Sequence, residues 1–186
     1  MLRSLILFGH VVGVLALFAG LTLEWLSLES IRRSIDRGEA LPWVRVFAAL
    51  PRASGIALAL ILGSGIYLGA RIGVLGNAWM RTSYAAIVLM AVFGGPVARP
   101  RMRALLRAAE DVSDRAISAV RAAASDALLR ASVRVRVAFG LAVVYLMIGK
   151  PDLSESLLVL GAAAILAIAT SVPRREAPSR LVEGYR

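Results

Sequence analysis

The sequence has no cysteine and one histidine, His10. The first absence excludes disulfides, thiolate metal sites and thiol nucleophiles. The second excludes bis-histidine ligation within one chain, leaving Met147, Met90, a second subunit or an open position as partner for His10. No carboxylate lies in the middle of a long apolar run, which argues against proton- or sodium-coupled transport, where such groups are the coupling sites. There is no H-E-x-x-H, no Gly-Lys-Ser/Thr phosphate loop and no acidic metal cluster, and Gly63-Ser64-Gly65 is not G-x-S-x-G. Enzymatic activity on such a chain needs a cofactor to do the chemistry.

Apolar sequence and arginine are abundant. Of 186 residues, 59% are hydrophobic, against about 45–50% in soluble domains, and they gather into runs of about 20 residues, the length that crosses hydrocarbon. The expected fold is an all-α membrane bundle forming one domain over 1–186. Its spans are 5–23, 53–70, 82–98, 133–149 and 153–172, followed by a polar tail over 173–186. Spans 3 and 4 are short, so four spans plus a re-entrant hairpin is the alternative. The first run exceeds a signal-peptide core and lacks a small-residue cleavage site, so it reads as a retained span.

The formal charge of +10 suggests orientation and contact with anionic lipid headgroups rather than nucleic acid. Residues 24–52, 99–136 and 173–186 carry five, nine and four Lys+Arg, eighteen of the 22 in the chain. Alternation across five spans then places these segments in the cytoplasm and the N-terminus outside the inner membrane.

Between the spans, the first helix is expected to continue past Leu23 to about Asp36, with Gly38 as its stop. Residues 41–47, short, aromatic and basic, read as a segment lying in the headgroup zone. Pro96 is expected to kink or end span 3. From Met102 to Ala138 there is neither Gly nor Pro, and Met102, Leu105, Ala109, Val112, Ala116, Val120, Ala123 and Ala127 form one apolar stripe. The segment 101–132 therefore reads as a long cytosolic amphipathic helix. Arg107/Asp111, Asp111/Arg115 and Asp126/Arg130 support it at i,i+4. Because the stripe is mostly alanine, it is expected to pack on protein rather than on lipid. Asp152 and Glu155 read as the N-cap and third-position carboxylate of the last span.

Small residues four apart, Gly9/Gly13 and Gly65/Gly69, are candidate helix-packing positions. Five spans would bring His10, Tyr67, Tyr84, Tyr145, Met147 and Lys150 to the outer side of the bundle, where they are candidate ligand-binding residues. The alternative is an interfacial aromatic belt with snorkelling basic residues. His10, well inside a span, is a candidate ligand for a transition metal or haem b, or a histidine hydrogen-bonded to a neighbouring helix.

Two passages carry a resemblance. Phe8-Gly9-His10-Val11-Val12-Gly13, with Gly20 seven residues on, resembles the first helix of an uncharacterised family of small bacterial inner-membrane proteins. Tyr145-Leu146-Met147-Ile148-Gly149-Lys150-Pro151 is similar to that family's Leu-Met-x-x-Lys-Pro ending of a late helix. The family is distantly similar to CopD-type copper-resistance proteins and HemJ-type protoporphyrinogen oxidases, which share a first-helix histidine. The resemblance implies a helical bundle, attention to His10 and Lys150-Pro151, and haem, porphyrin or copper as ligand.

The leading functional expectation is an accessory or scaffold subunit of a membrane assembly, a homo- or hetero-oligomer formed through spans or the cytosolic helix. A haem, porphyrin or metal protein using His10 is the alternative, and a small-solute or ion transporter is a third.

Overall fold

The computed structural model describes residues 1–111 and 116–171. Five helical rods among them are long and apolar enough to cross a membrane, so the chain is an all-α helical bundle with five candidate membrane spans.

Helix α1 (Leu2–Arg33) has 32 residues and α2 (Arg37–Arg71) has 35. At about 1.5 Å per residue these are rods of about 50 Å, well beyond a hydrocarbon core of about 30 Å. They pair antiparallel along their length. Gly38 does not stop the first helix, and 41–47 is not a separate element: both belong to α2. The reason is local. Asp36 caps the new helix by accepting from the Glu39 N–H at 3.0 Å, while the Glu39 carboxylate accepts from the Ile35 N–H at 2.9 Å. Pro42 and Pro51 are absorbed inside this helix.

Helix α3 (Ala78–Val92) passes through a π-helical turn, Phe93–Val97, directly into α4 (Ala98–Glu110). Pro96 therefore does not end the rod. The wider turn at Gly94-Gly95-Pro96 accommodates a residue that cannot donate and whose ring crowds the preceding turn.

The single helix expected over 101–132 is instead α4 and α5 (Ala116–Ala124), and α6 (Ala127–Gly149) begins afresh. Asp126 interrupts the run because its carboxylate accepts from the Leu129 N–H at 2.7 Å and caps α6. The same carboxylate faces Arg101 at 3.3 Å, an inter-helix ion contact. The break shifts the apolar stripe, so that Ala124 is buried and Ala127 exposed. Arg115, Val112 and the tail over 173–186 lie outside the described residues.

Helix α7 (Leu153–Ser171) follows a tight turn in which Lys150 takes a left-handed φ of 48° before Pro151. Asp152 caps α7 through the Glu155 N–H at 2.9 Å. The Glu155 carboxylate accepts instead from the Tyr145 hydroxyl at 2.9 Å.

Two apolar cores are stacked along the rods. One holds Leu17, Leu21, Ile61, Ile87, Met90 and Phe139 at the level of the spans. The other lies at the basic end and packs Leu28, Ile31, Phe47, Leu105, Val120 and Leu129 from α1, α2, α4, α5 and the start of α6. This second core forms a helical cap. Of the alanine-rich stripe, Met102, Leu105, Ala109 and Val120 are buried against the chain's own helices. Arginines staple the cap: Arg37 donates to the Ala109 carbonyl at 3.0 Å and Arg32 to Ser125 Oγ at 3.3 Å. Helix α7 packs mainly on α6 through Ala138, Ala142, Ala163 and Ala167.

Candidate functional site

Where the two cores meet, Glu24 of α1 and Arg136 of α6 are 1% and 7% exposed. Arg136 Nη2 donates to Glu24 Oε2 at 2.5 Å and Nη1 to Oε1 at 3.1 Å, a fork-on-fork pair. Arg136 Nε donates to the Ser132 carbonyl at 3.1 Å. Glu24 reaches this position because α1 continues unbroken past the apolar run. Arg136 reaches it because it lies two residues, roughly 200°, around the helix from Arg134, so only one of the two can face outward.

The π-helical turn makes room for this pair. A Cβ on Gly94 would lie 3.2 Å from Arg136 Cδ and 3.4 Å from Nη1, so the guanidinium sits on bare backbone. Beside it is a cavity of about 180 Å³ bordered by Glu24, Arg136, Ser54, Gly94, Gly95 and the exposed Arg99. Ser54 Oγ is buried and has no hydrogen-bond partner among the described residues. Both Glu24 oxygens are engaged, so this carboxylate is not poised as a base. The pair acts as a clamp between α1 and α6, beside a cavity whose border includes the exposed Arg99.

The end of the bundle opposite the helical cap is arranged differently. His10 Nδ1 lies 2.9 Å from Ser64 Oγ, which joins α1 to α2. Ser64 Oγ also donates to the Leu60 carbonyl. In the Nδ1–H tautomer the imidazole donates to this hydroxyl and Nε2 carries the lone pair; in the Nε2–H tautomer Nδ1 is the acceptor. Gly65 allows this approach, since a Cβ there would lie 3.4 Å from His10 Cε1. Gly13 faces Ile61 and the Ala57 carbonyl, and Gly9 faces Leu60 more loosely. Gly69 turns instead toward Met80 and Leu75.

The tyrosines form separate local pairs. The Tyr67 hydroxyl accepts from Arg71 Nε at 3.3 Å, with the guanidinium 5.5 Å from its ring centre. Tyr145 bonds Glu155, and the buried Tyr84 hydroxyl has no partner among the described residues. Met147 is half-buried and Lys150 exposed. The hydrogen bonds thus join His10 to Ser64 and to none of the three tyrosines. No group of three or more His, Cys, Asp or Glu suited to a metal occurs among the described residues.

Sequence reasoning missed the clamp because Glu24 reads as a charge on the extension of the first helix beyond its apolar run and Arg136 as the last charge of the basic segment. The available signal was the Arg134/Arg136 spacing on one helix. The chain matches no protein-family model, no curated protein and no solved structure.

Proposed function

We propose that this is a non-enzymatic, multi-pass protein of the bacterial inner membrane, N-terminus outside and C-terminus cytoplasmic, serving as an accessory or scaffold subunit of a membrane assembly. The observation that carries this reading is the Glu24–Arg136 clamp, which ties α1 to α6 where the capped basic end meets the spans. A buried tie between a membrane bundle and its helical cap suits a subunit that holds others in register. Orientation rests on the eighteen of 22 basic residues assigned to one side. Crosslinking of the full-length chain in intact cells, followed by mild solubilisation, should capture a stoichiometric partner or a second copy. A monomer carrying no partner overturns the reading. A reporter fused after Tyr185 that is active outside the cytoplasm overturns the orientation.

A second reading, haem b, porphyrin or metal binding through His10, is favoured by the Ser64 bond, which in the Nδ1–H tautomer leaves the lone pair on Nε2. The resemblance of the first span to relatives of CopD-type and HemJ-type proteins supports it too. Protein from haem-replete cells should then show a Soret band that is lost in His10→Ala. An absent band, or one indifferent to that substitution, removes haem ligation by His10.

A further inference from the structure

On the opposite side of α1 and α6 from the clamp, the surfaces of α1, α6 and α7 enclose a lateral groove of about 440 Å³. Leu21, Val137, Leu141 and Leu166 supply its apolar walls, and Trp25 and Arg134 stand at its basic end. Arg134 Nη1 donates to the Thr170 carbonyl near the C-terminus of α7, which holds the guanidinium at the groove's mouth. One turn away on α6, Arg130 has a buried Nε with no hydrogen-bond partner among the described residues.

Arg130 also feels the like charges of Arg32 and Arg134. The carboxylates that offset them, Glu29 and Asp126, are engaged elsewhere. Glu29 binds Arg32 at 2.7 Å and Arg33 at 2.6 Å. Asp126 caps α6 and faces Arg101. Arg134 thus stands at the mouth of an apolar groove flanked by a tryptophan, with the charge of Arg130 one turn below it and outside the groove's own lining. A neutral helix seated there would desolvate the cations without compensating them, whereas a lipid phosphate offers several acceptor oxygens. Trp at that level is the usual marker of the headgroup zone.

We infer that this groove is a binding site for an anionic phospholipid, with one acyl chain along α6 and the phosphate on Arg130 and Arg134. A zwitterionic headgroup brings its own cation toward the arginines and binds less well. The groove is separate from the Glu24–Arg136 cavity, and the inference does not rest on a scaffold role.

The test is native mass spectrometry of the full-length chain in a mild non-ionic detergent, titrated with phosphatidylglycerol and with phosphatidylcholine of the same acyl chains. Wild-type protein should retain phosphatidylglycerol preferentially. Arg130→Gln, which leaves the Arg134–Thr170 contact in place, should weaken phosphatidylglycerol about fivefold, the effect of one arginine near a lipid surface. The exposed Leu141→Trp should block the groove and weaken both lipids. Equal retention of the two lipids by wild type overturns the inference, as does unchanged phosphatidylglycerol binding in both variants. A dimer that disappears in Leu141→Trp, with no lipid preference, assigns the groove to a second copy and also overturns it.

Discussion

Arg136 grips Glu24 through two nitrogens, although 112 residues separate them in the chain, and both side chains are almost wholly withdrawn from solvent. In such a place the attraction and the desolvation cost are both large, so the pair's net contribution is small while the loss of one partner is severe.

Arg136→Ala or Glu24→Ala should therefore destabilise the protein by about 3–5 kcal/mol, because each strands an uncompensated buried charge. The double variant Glu24→Leu/Arg136→Met, apolar and of similar bulk, should recover most of that loss. Thermal unfolding followed by circular dichroism in detergent tests both; a double variant no better than the singles contradicts the clamp.

Gly94 and Gly95 are adjacent in the π-helical turn but unlike in surroundings. A Cβ at Gly94 meets Arg136 within 3.2 Å, whereas one at Gly95 meets nothing within 4 Å. Gly94→Ala should displace the guanidinium and cost about 1–3 kcal/mol by overpacking. Gly95→Ala should be close to neutral, and the difference between their melting temperatures is the measurement.

The α1–α2 crossing makes a similar contrast. Gly13 has room for no Cβ without movement, with Ile61 Cγ1 at 3.1 Å and the Ala57 carbonyl at 3.3 Å, while Gly9 has Leu60 at an ordinary 3.7 Å. Gly13→Val should part the two helices and lower thermal stability, by about 1–3 kcal/mol, and Gly9→Ala should leave it nearly unchanged. Equal effects would mean that close backbone approach at Gly13 is not what pairs the helices.

At the turn into α7, the Asp152 carboxyl is held below its usual range, chiefly by the Glu155 backbone N–H and then by the Ser154 hydroxyl. A carboxylate with a lowered folded-state pKa contributes stability that is fully present above its unfolded pKa and is lost as pH falls through the folded one. Amide exchange at Ser154–Ser156, corrected for intrinsic rates, should lose protection on acidification below the ordinary carboxylate range. Asp152→Asn should flatten that dependence.

Much of the bundle was legible along the chain. Apolar runs mark the spans because transfer from water depends on the composition of a local window, and the Asp152 cap follows from one residue's position before a run. The boundaries between elements were less legible. Gly38 reads as a stop, yet Asp36 and Glu39 start a new helix there, and Pro96 reads as an end, yet a π-helical turn carries the rod through. In both places nearby side-chain and backbone geometry competes with the residue that a propensity scale notices first.

Composition and periodicity by themselves determined an all-α, arginine-rich multi-pass bundle with an alanine face seeking protein. Only the tertiary structure decided that Met102, Leu105, Ala109 and Val120 of this face pack with Leu28, Ile31 and Phe47 of the chain's own α1 and α2, that His10 answers to Ser64, and that Arg136 closes on Glu24. Burial tendency is a property of each segment taken alone. The partner of a buried charge depends on which two helices abut and at what height, and periodicity gives a side chain's direction without saying what stands opposite it.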